Sequence, residues 1–132
     1  MTYATSKDIE NAYGKGSLPD GGGTSAAVTA ALSAATAEID TYLAGRYDLP
    51  LATPPPILKA LCVDIALYKT SLDIGSLTDE RRKRYEDALA LLRRLADGKA
   101  DLGLPKPKQT APSHASFTAS PRLFTRQSLR DF

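Results

Sequence analysis

The chain has 132 residues, 42% apolar and 24% charged, the balance of one soluble globular domain with a single modest core rather than of a membrane or wholly disordered protein. No run approaches the roughly 18 unbroken apolar residues of a membrane span, and Met1-Thr2-Tyr3-Ala4-Thr5-Ser6-Lys7-Asp8 lacks the basic start and apolar stretch of a signal peptide, so a protein without membrane partners, staying in the compartment that makes it, is expected. The net charge of +2 hides an asymmetry: of 17 Lys/Arg and 15 Asp/Glu, residues 1–104 hold twelve and fourteen, whereas residues 105–132 hold Lys106, Lys108, Arg122, Arg126 and Arg130 against Asp131 alone, so an acidic body carries a basic tail.

Thr5 or Ser6 is placed to cap a short helix ending at Tyr13, with Ile9, Ala12 and Tyr13 at i, i+3 and i+4 and Gly14 where the chain can leave it. Residues 14–23, with Pro19-Asp20 and three successive glycines, read as a flexible loop. A second helix is expected from a cap at Thr24 or Ser25 to about Arg46. Val28, Leu32, Ala35, Ile39, Tyr42 and Leu43 form its apolar stripe, and its many alanines permit close approach of a neighbour. Pro50, Pro54, Pro55 and Pro56 make the next segment a stiff, non-helical connector.

Pro55 or Pro56 suits the first turn of a third helix, whose residues Ile57, Leu58, Ala60, Leu61, Cys62, Val63, Ile65, Ala66, Leu67, Tyr68 and Leu72 occupy nearly its whole circumference. This is the expected central helix. Asp64 interrupts the run; substantial burial and a structural pair with Arg46 are expected for it. Gly75-Ser76-Leu77-Thr78 then ends one helix and caps a fourth, running from Asp79-Glu80 to near Lys99, with Tyr85, Ala88, Leu89, Leu92, Leu95 and Ala96 on one face. Its basic run of Arg81, Arg82, Lys83 and Arg84 is followed at once by Glu86 and Asp87. The i,i+4 pairs Arg82–Glu86 and Lys83–Asp87 favour a solvated or subunit-facing surface over a DNA-binding helix, and no aromatic residues interleave the run.

Beyond Leu104 the composition changes, with Pro105, Pro107, Pro112 and Pro121 among Lys, Ser and Thr, and such a stretch cannot bury enough apolar surface to fold alone. The domain plan is thus an all-α bundle of about four helices over residues 1–104 and an extended arm over residues 105–132. Toward the end of the arm, Phe117, Leu123, Phe124, Leu129 and Phe132 alternate with Arg122, Arg126 and Arg130. That is the pattern of a docking peptide, with apolar anchors for pockets and arginines for carboxylates at the rim. The same composition also suits a disordered basic tail.

Chemistry is hard to place on this sequence. The single cysteine, Cys62, lies in an apolar run and reads as a buried, inert thiol, with His114 far along the chain in the Pro/Ser-rich stretch. One Cys and one His cannot build a structural zinc site, and no calcium loop is spaced out by the acids. Gly21-Gly22-Gly23 lacks the spacing and the Lys-Ser/Thr ending of a phosphate cradle, and no nucleophile elbow or metalloprotease helix occurs. A non-enzymatic protein without cofactor or metal is expected.

Four motifs carry a family resemblance. The segments Ala37-Glu38-Ile39-Asp40-Thr41-Tyr42-Leu43-Ala44-Gly45-Arg46-Tyr47-Asp48-Leu49-Pro50-Leu51, Leu61-Cys62-Val63-Asp64-Ile65-Ala66-Leu67-Tyr68, Arg84-Tyr85-Glu86-Asp87-Ala88-Leu89 and the ending Pro121-Arg122-Leu123-Phe124-Thr125-Arg126-Gln127-Ser128-Leu129-Arg130-Asp131-Phe132 resemble, in order, the Mu-type phage and prophage structural protein family. Asp131 departs from that pattern, which has glycine there. The family is similar in helical layout to the head-completion adaptors of tailed phages. The resemblance therefore implies a virion protein, made in the host cytoplasm and located in the neck. It also implies a twelve-membered ring beneath the portal, which prolongs the DNA channel, touches DNA weakly and receives the next neck or tail component. Phe117, Arg122, Leu123, Phe124, Arg126, Leu129, Arg130 and Phe132 are the expected partner-binding residues. The rival expectation is a small nucleic-acid-binding phage regulator with a basic tail.

Overall fold

The computed structural model describes residues 1–18 and 26–105. Among them, all regular structure is helical: α1 (Ser6–Tyr13), α2 (Ala26–Leu43), α3 (Pro56–Asp73) and α4 (Asp79–Ala96). The helices start where local chemistry can satisfy their first amides. At α1 the Asp8 carboxylate accepts from both the backbone N–H and the hydroxyl of Thr5, each at 2.8 Å. Those two bonds, helped by Lys59 at 3.2 Å, hold the Asp8 carboxyl below its ordinary range. Pro56 supplies the preset φ and missing N–H that a first helical residue tolerates. Thr78 accepts from the Arg81 N–H at 3.3 Å, while Asp79 and Glu80 in the first turn and Arg93 and Arg94 in the last complement the α4 dipole. The expected caps of α2, Thr24 and Ser25, lie outside the described residues, as do residues 19–23 of the glycine-rich loop.

Two helices stop earlier than their periodicity suggests. The apolar pattern carries α2 to Arg46, but the helix ends at Leu43, and residues 44–46 form a turn closed by the Tyr47 N–H on the Leu43 carbonyl at 2.9 Å. That turn takes Arg46 off the helix and across to the end of α4. The fourth helix ends at Ala96 rather than near Lys99, because Gly98 adopts φ +80°, where a side chain is strained. The N–H groups of Lys99 and Ala100 then both donate to the Arg94 carbonyl, at 2.9 and 3.1 Å.

The third helix packs against each of the other three. It buries Leu58, Leu61, Cys62, Val63, Ile65, Ala66 and Leu67 against the α2 stripe of Val28, Leu32, Ala35, Ile39 and Leu43, and against Ala88, Leu92 and Leu95 of α4. Ala4, Ile9 and Leu18 close the core from the N-terminal side. Each fully buried Leu or Ile contributes roughly 1.5–3 kcal/mol through removal from water. The small residues of α2 let α3 come close enough for the Cys62 thiol to lie 3.7 Å from the Thr36 hydroxyl and 4.0 Å from the Leu32 carbonyl. Burial pushes the Cys62 thiol up in pKa, which leaves it protonated and unreactive.

The expectation of an apolar surface all round α3 needs correction. Ile57 and Leu72 are 43% and 49% exposed, and Asp64, Tyr68 and Lys69 form a half-buried polar stripe. Among the described residues the buried polar ones are Thr36, Thr70 and Ser71, not Asp64. Thr70 and Ser71 donate to the Ala66 and Leu67 carbonyls of their own helix, at 2.9 and 2.7 Å, and the Ser71 hydroxyl also accepts from Arg81. A joint between α3 and α4 forms on the polar stripe: the rings of Tyr68 and Tyr85 stack with centroids 4.0 Å apart and planes 4° from parallel. The Tyr85 hydroxyl donates to Glu38 at 3.0 Å, and Lys69 pairs with the same carboxylate at 3.0 Å, so α2 is tied to that joint. No helix among the described residues is long and apolar enough to cross a membrane.

Candidate assembly surface

A polar joint holds the chain where it leaves α4. Arg46, carried off α2 by the turn at residues 44–46, donates through Nη1 to the carbonyls of Leu95 at 2.8 Å and Ala100 at 3.3 Å. A guanidinium at the carbonyl end of α4 meets both orphan acceptors and the negative end of the helix dipole. Gly98 is required beside it, since a Cβ there would sit 3.3 Å from the Arg46 guanidinium carbon. Buried Tyr47 adds a second clasp: its hydroxyl donates to Asp101 at 3.0 Å and accepts from the Leu102 N–H at 3.2 Å, and Asp101 also accepts from the Gly103 N–H at 3.0 Å. Residues 46 and 47 together fix how the chain leaves α4.

Arg46 and Asp64 are therefore not partners. The two residues serve different joints, because the exit from α2 aims Arg46 at α4's end while Asp64 faces α1. Asp64 accepts from the Tyr13 hydroxyl, which in turn accepts from Arg84 Nη1 at 2.9 Å. The Arg84 guanidinium also lies 5.2 Å over the Tyr13 ring and bonds Glu80 at 2.9 Å. This chain of four side chains joins α1, α3 and α4, and three of them, Tyr13, Asp64 and Arg84, line an open groove of about 480 Å³. Its sequence signal was weak: Tyr13 sits at an i+4 position from Ile9 and reads as one more apolar residue.

These tyrosines give the fold an alkaline limit. The Tyr13 hydroxyl is pushed up to about 12 by burial and then by its bond to Asp64, and Tyr85 to about 12 by burial and then by Glu38. Tyr3, buried and bonded to Asp40, is raised further. A raised folded-state pKa contributes stability that is complete below the unfolded value of about 10 and is lost as pH rises through the folded value. The urea midpoint is therefore expected to fall from about pH 10 to about pH 12, and Tyr13→Phe to remove part of that slope. An alkaline profile for the variant parallel to that of the unaltered chain would contradict it.

The basic run of α4 is largely occupied. Arg81 donates to Ser71, Arg82 lies 3.8 Å from Asp79 and 4.0 Å from Glu86, and Arg84 is held as described. The expected Lys83–Asp87 pair does not form. A smaller groove of about 300 Å³ opens at the base of the arm, with Tyr47, Pro50 and Leu51 from the α2–α3 connector and Leu104 and Pro105 from the chain after α4. Exposed Asp48 borders it, with no hydrogen bond or ion pair among the described residues. The expected partner-binding residues Phe117, Arg122, Leu123, Phe124, Arg126, Leu129, Arg130 and Phe132 lie outside the described residues.

Residues 3–120 match the family model described as Bacteriophage Mu, Gp36. The chain is 30% identical to "Gene product J" of Escherichia phage Mu over 96% of both chains. It is 42% identical to "Mu-like prophage FluMu protein gp36" of Haemophilus influenzae over 67% of its own length and 61% of that relative's. The chain belongs to the Bacteriophage Mu, Gp36 family and is a phage protein.

Proposed function

We propose that the chain is a non-enzymatic structural subunit of the virion neck, one copy in a ring that joins head to tail. The helical bundles stand side by side through a heterologous interface, in which one face of a copy meets a different face of the next, and closure of that contact makes a ring. Twelve copies would match the portal beneath which the ring sits. The ring prolongs the DNA channel, touching the duplex weakly, and offers its far side to the next neck or tail component. The arm, residues 105–132, clamps the portal or an adjacent subunit through Phe124, Phe132 and the three arginines.

The observation that carries this reading is the double clasp of Arg46 and Tyr47 on residues 95–103. A tail with no binding role would gain nothing from a fixed point of departure, whereas a clamp repeated around a ring needs each arm to leave its subunit in the same direction. Deleting residues 117–132 tests it. The bundle should keep its helical circular dichroism, while infectivity of phage carrying the deletion falls at least about a hundredfold, since avidity rather than single contacts holds such a joint. Full infectivity would end the proposal, and tight, salt-sensitive DNA binding by the intact protein would favour a nucleic-acid-binding regulator instead.

A further inference from the structure

Among the grooves that open on the described residues, two differ in what they leave unsatisfied. In the larger, Asp8 is held by Thr5 and Lys59, Asp64 by Tyr13, and Arg84 by Glu80 and Tyr13. Its charged groups have their partners already. In the groove at the base of the arm, buried Tyr47 and half-buried Leu51 and Leu104 present apolar surface, and Asp48 beside them is exposed and unpaired among the described residues. An apolar floor with one free carboxylate at its edge selects a ligand that brings an apolar anchor flanked by a cation.

We infer that this groove is the receptor for the C-terminal segment, residues 117–132, of a second copy of this chain. That segment carries the complementary chemistry: Phe124 stands between Arg122 and Arg126, and Leu129 beside Arg130. The groove's volume, about 300 Å³, admits one aromatic ring with an aliphatic neighbour. Charge agrees on the larger scale as well, since a tail of net +4 meets a body of net −2. Reach agrees too. Eleven residues lie between Pro105 and Phe117, and the stretch spans up to roughly 40 Å when extended, about the width of a domain of this size. Leu104 and Pro105 form part of the groove, so every arm departs from the site that its neighbour's arm fills, and the contact is of the head-to-tail kind that propagates from copy to copy.

This inference rests on the clamp reading and narrows it to one partner and one site. The test replaces Phe124 by the photo-cross-linking residue benzoylphenylalanine in the full-length chain. Isotopically heavy and light preparations of the variant are mixed, irradiated both as concentrated protein and, separately, in phage particles made by mixed expression, and digested for mass spectrometry. Cross-links from Phe124's position to peptides containing residues 47–53, joining heavy to light chains, are expected, with yield falling about fivefold in Asp48→Arg as an attraction becomes a repulsion. Asp87→Arg, the same charge change on the far side of α4, should leave the yield unaltered. Cross-links within single chains only, to any other surface, or none in either preparation would overturn the inference. Cross-links to another virion protein alone would do so while leaving the head-to-tail joint itself intact, a result that separates the two readings.

Discussion

Ile65→Ala is expected to be the most destabilising single substitution among those considered, at about 3 kcal/mol. Ile65 is fully buried on α3, which packs against all three other helices. Truncating it removes the transfer free energy of three carbons and leaves a void that close-packed helices cannot collapse to fill. For a domain of this size such a loss lowers the thermal midpoint by roughly 15 °C. Ile65→Val, which keeps most of the volume, should cost only about 1 kcal/mol. Thermal denaturation followed by circular dichroism checks both; equal midpoints for the alanine variant and the unaltered chain would mean that α3 is not the centre of the core.

Arg46→Ala is expected to cost about 2 kcal/mol, on the scale of hydrogen bonds made by charged groups, and its effect should be local as well as global. The carbonyls of Leu95 and Ala100 lose their shared donor, and the end of α4 loses a cation from its negative pole. Hydrogen exchange distinguishes this from a general loss of stability: the amides of Leu102 and Gly103, held through Tyr47 and Asp101, should lose protection well before those in the middle of α3. Arg46→Lys should recover only part of the loss, because an ammonium lacks the planar fork that reaches both carbonyls. Unaltered exchange at Leu102 and Gly103 in the alanine variant would show that the arm's base is fixed by something else.

Helices were the legible part of this molecule. Thr5, Gly14, Pro56 and Thr78 mark ends that depend on a residue and its immediate neighbours, and the stripe from Val28 to Leu43 records one buried face. The two boundaries that moved, after Leu43 and Ala96, did so because tertiary contacts of Arg46 and the left-handed conformation of Gly98 interrupt patterns that would otherwise continue. Long-range polar pairing was not legible. Arg46 and Asp64 are charged residues beside apolar runs, and nothing local says that one reaches backbone carbonyls 49 and 54 residues away while the other meets a tyrosine from α1. The small hydroxyl residues of α3 took the burial assigned to Asp64, since a hydroxyl that donates to its own helix brings no charge to compensate. Within the family-like motif Ala37–Leu51, the physical content of Arg46 to Leu51 is the anchoring of the chain after α4 and one lip of the groove beside it.

The stacked pair of Tyr68 and Tyr85 makes this protein its own optical gauge. With no tryptophan to mask them, two phenol rings held face to face at van der Waals distance should dominate the near-ultraviolet circular dichroism, and opening of the α3–α4 hairpin can be followed in the unlabelled chain.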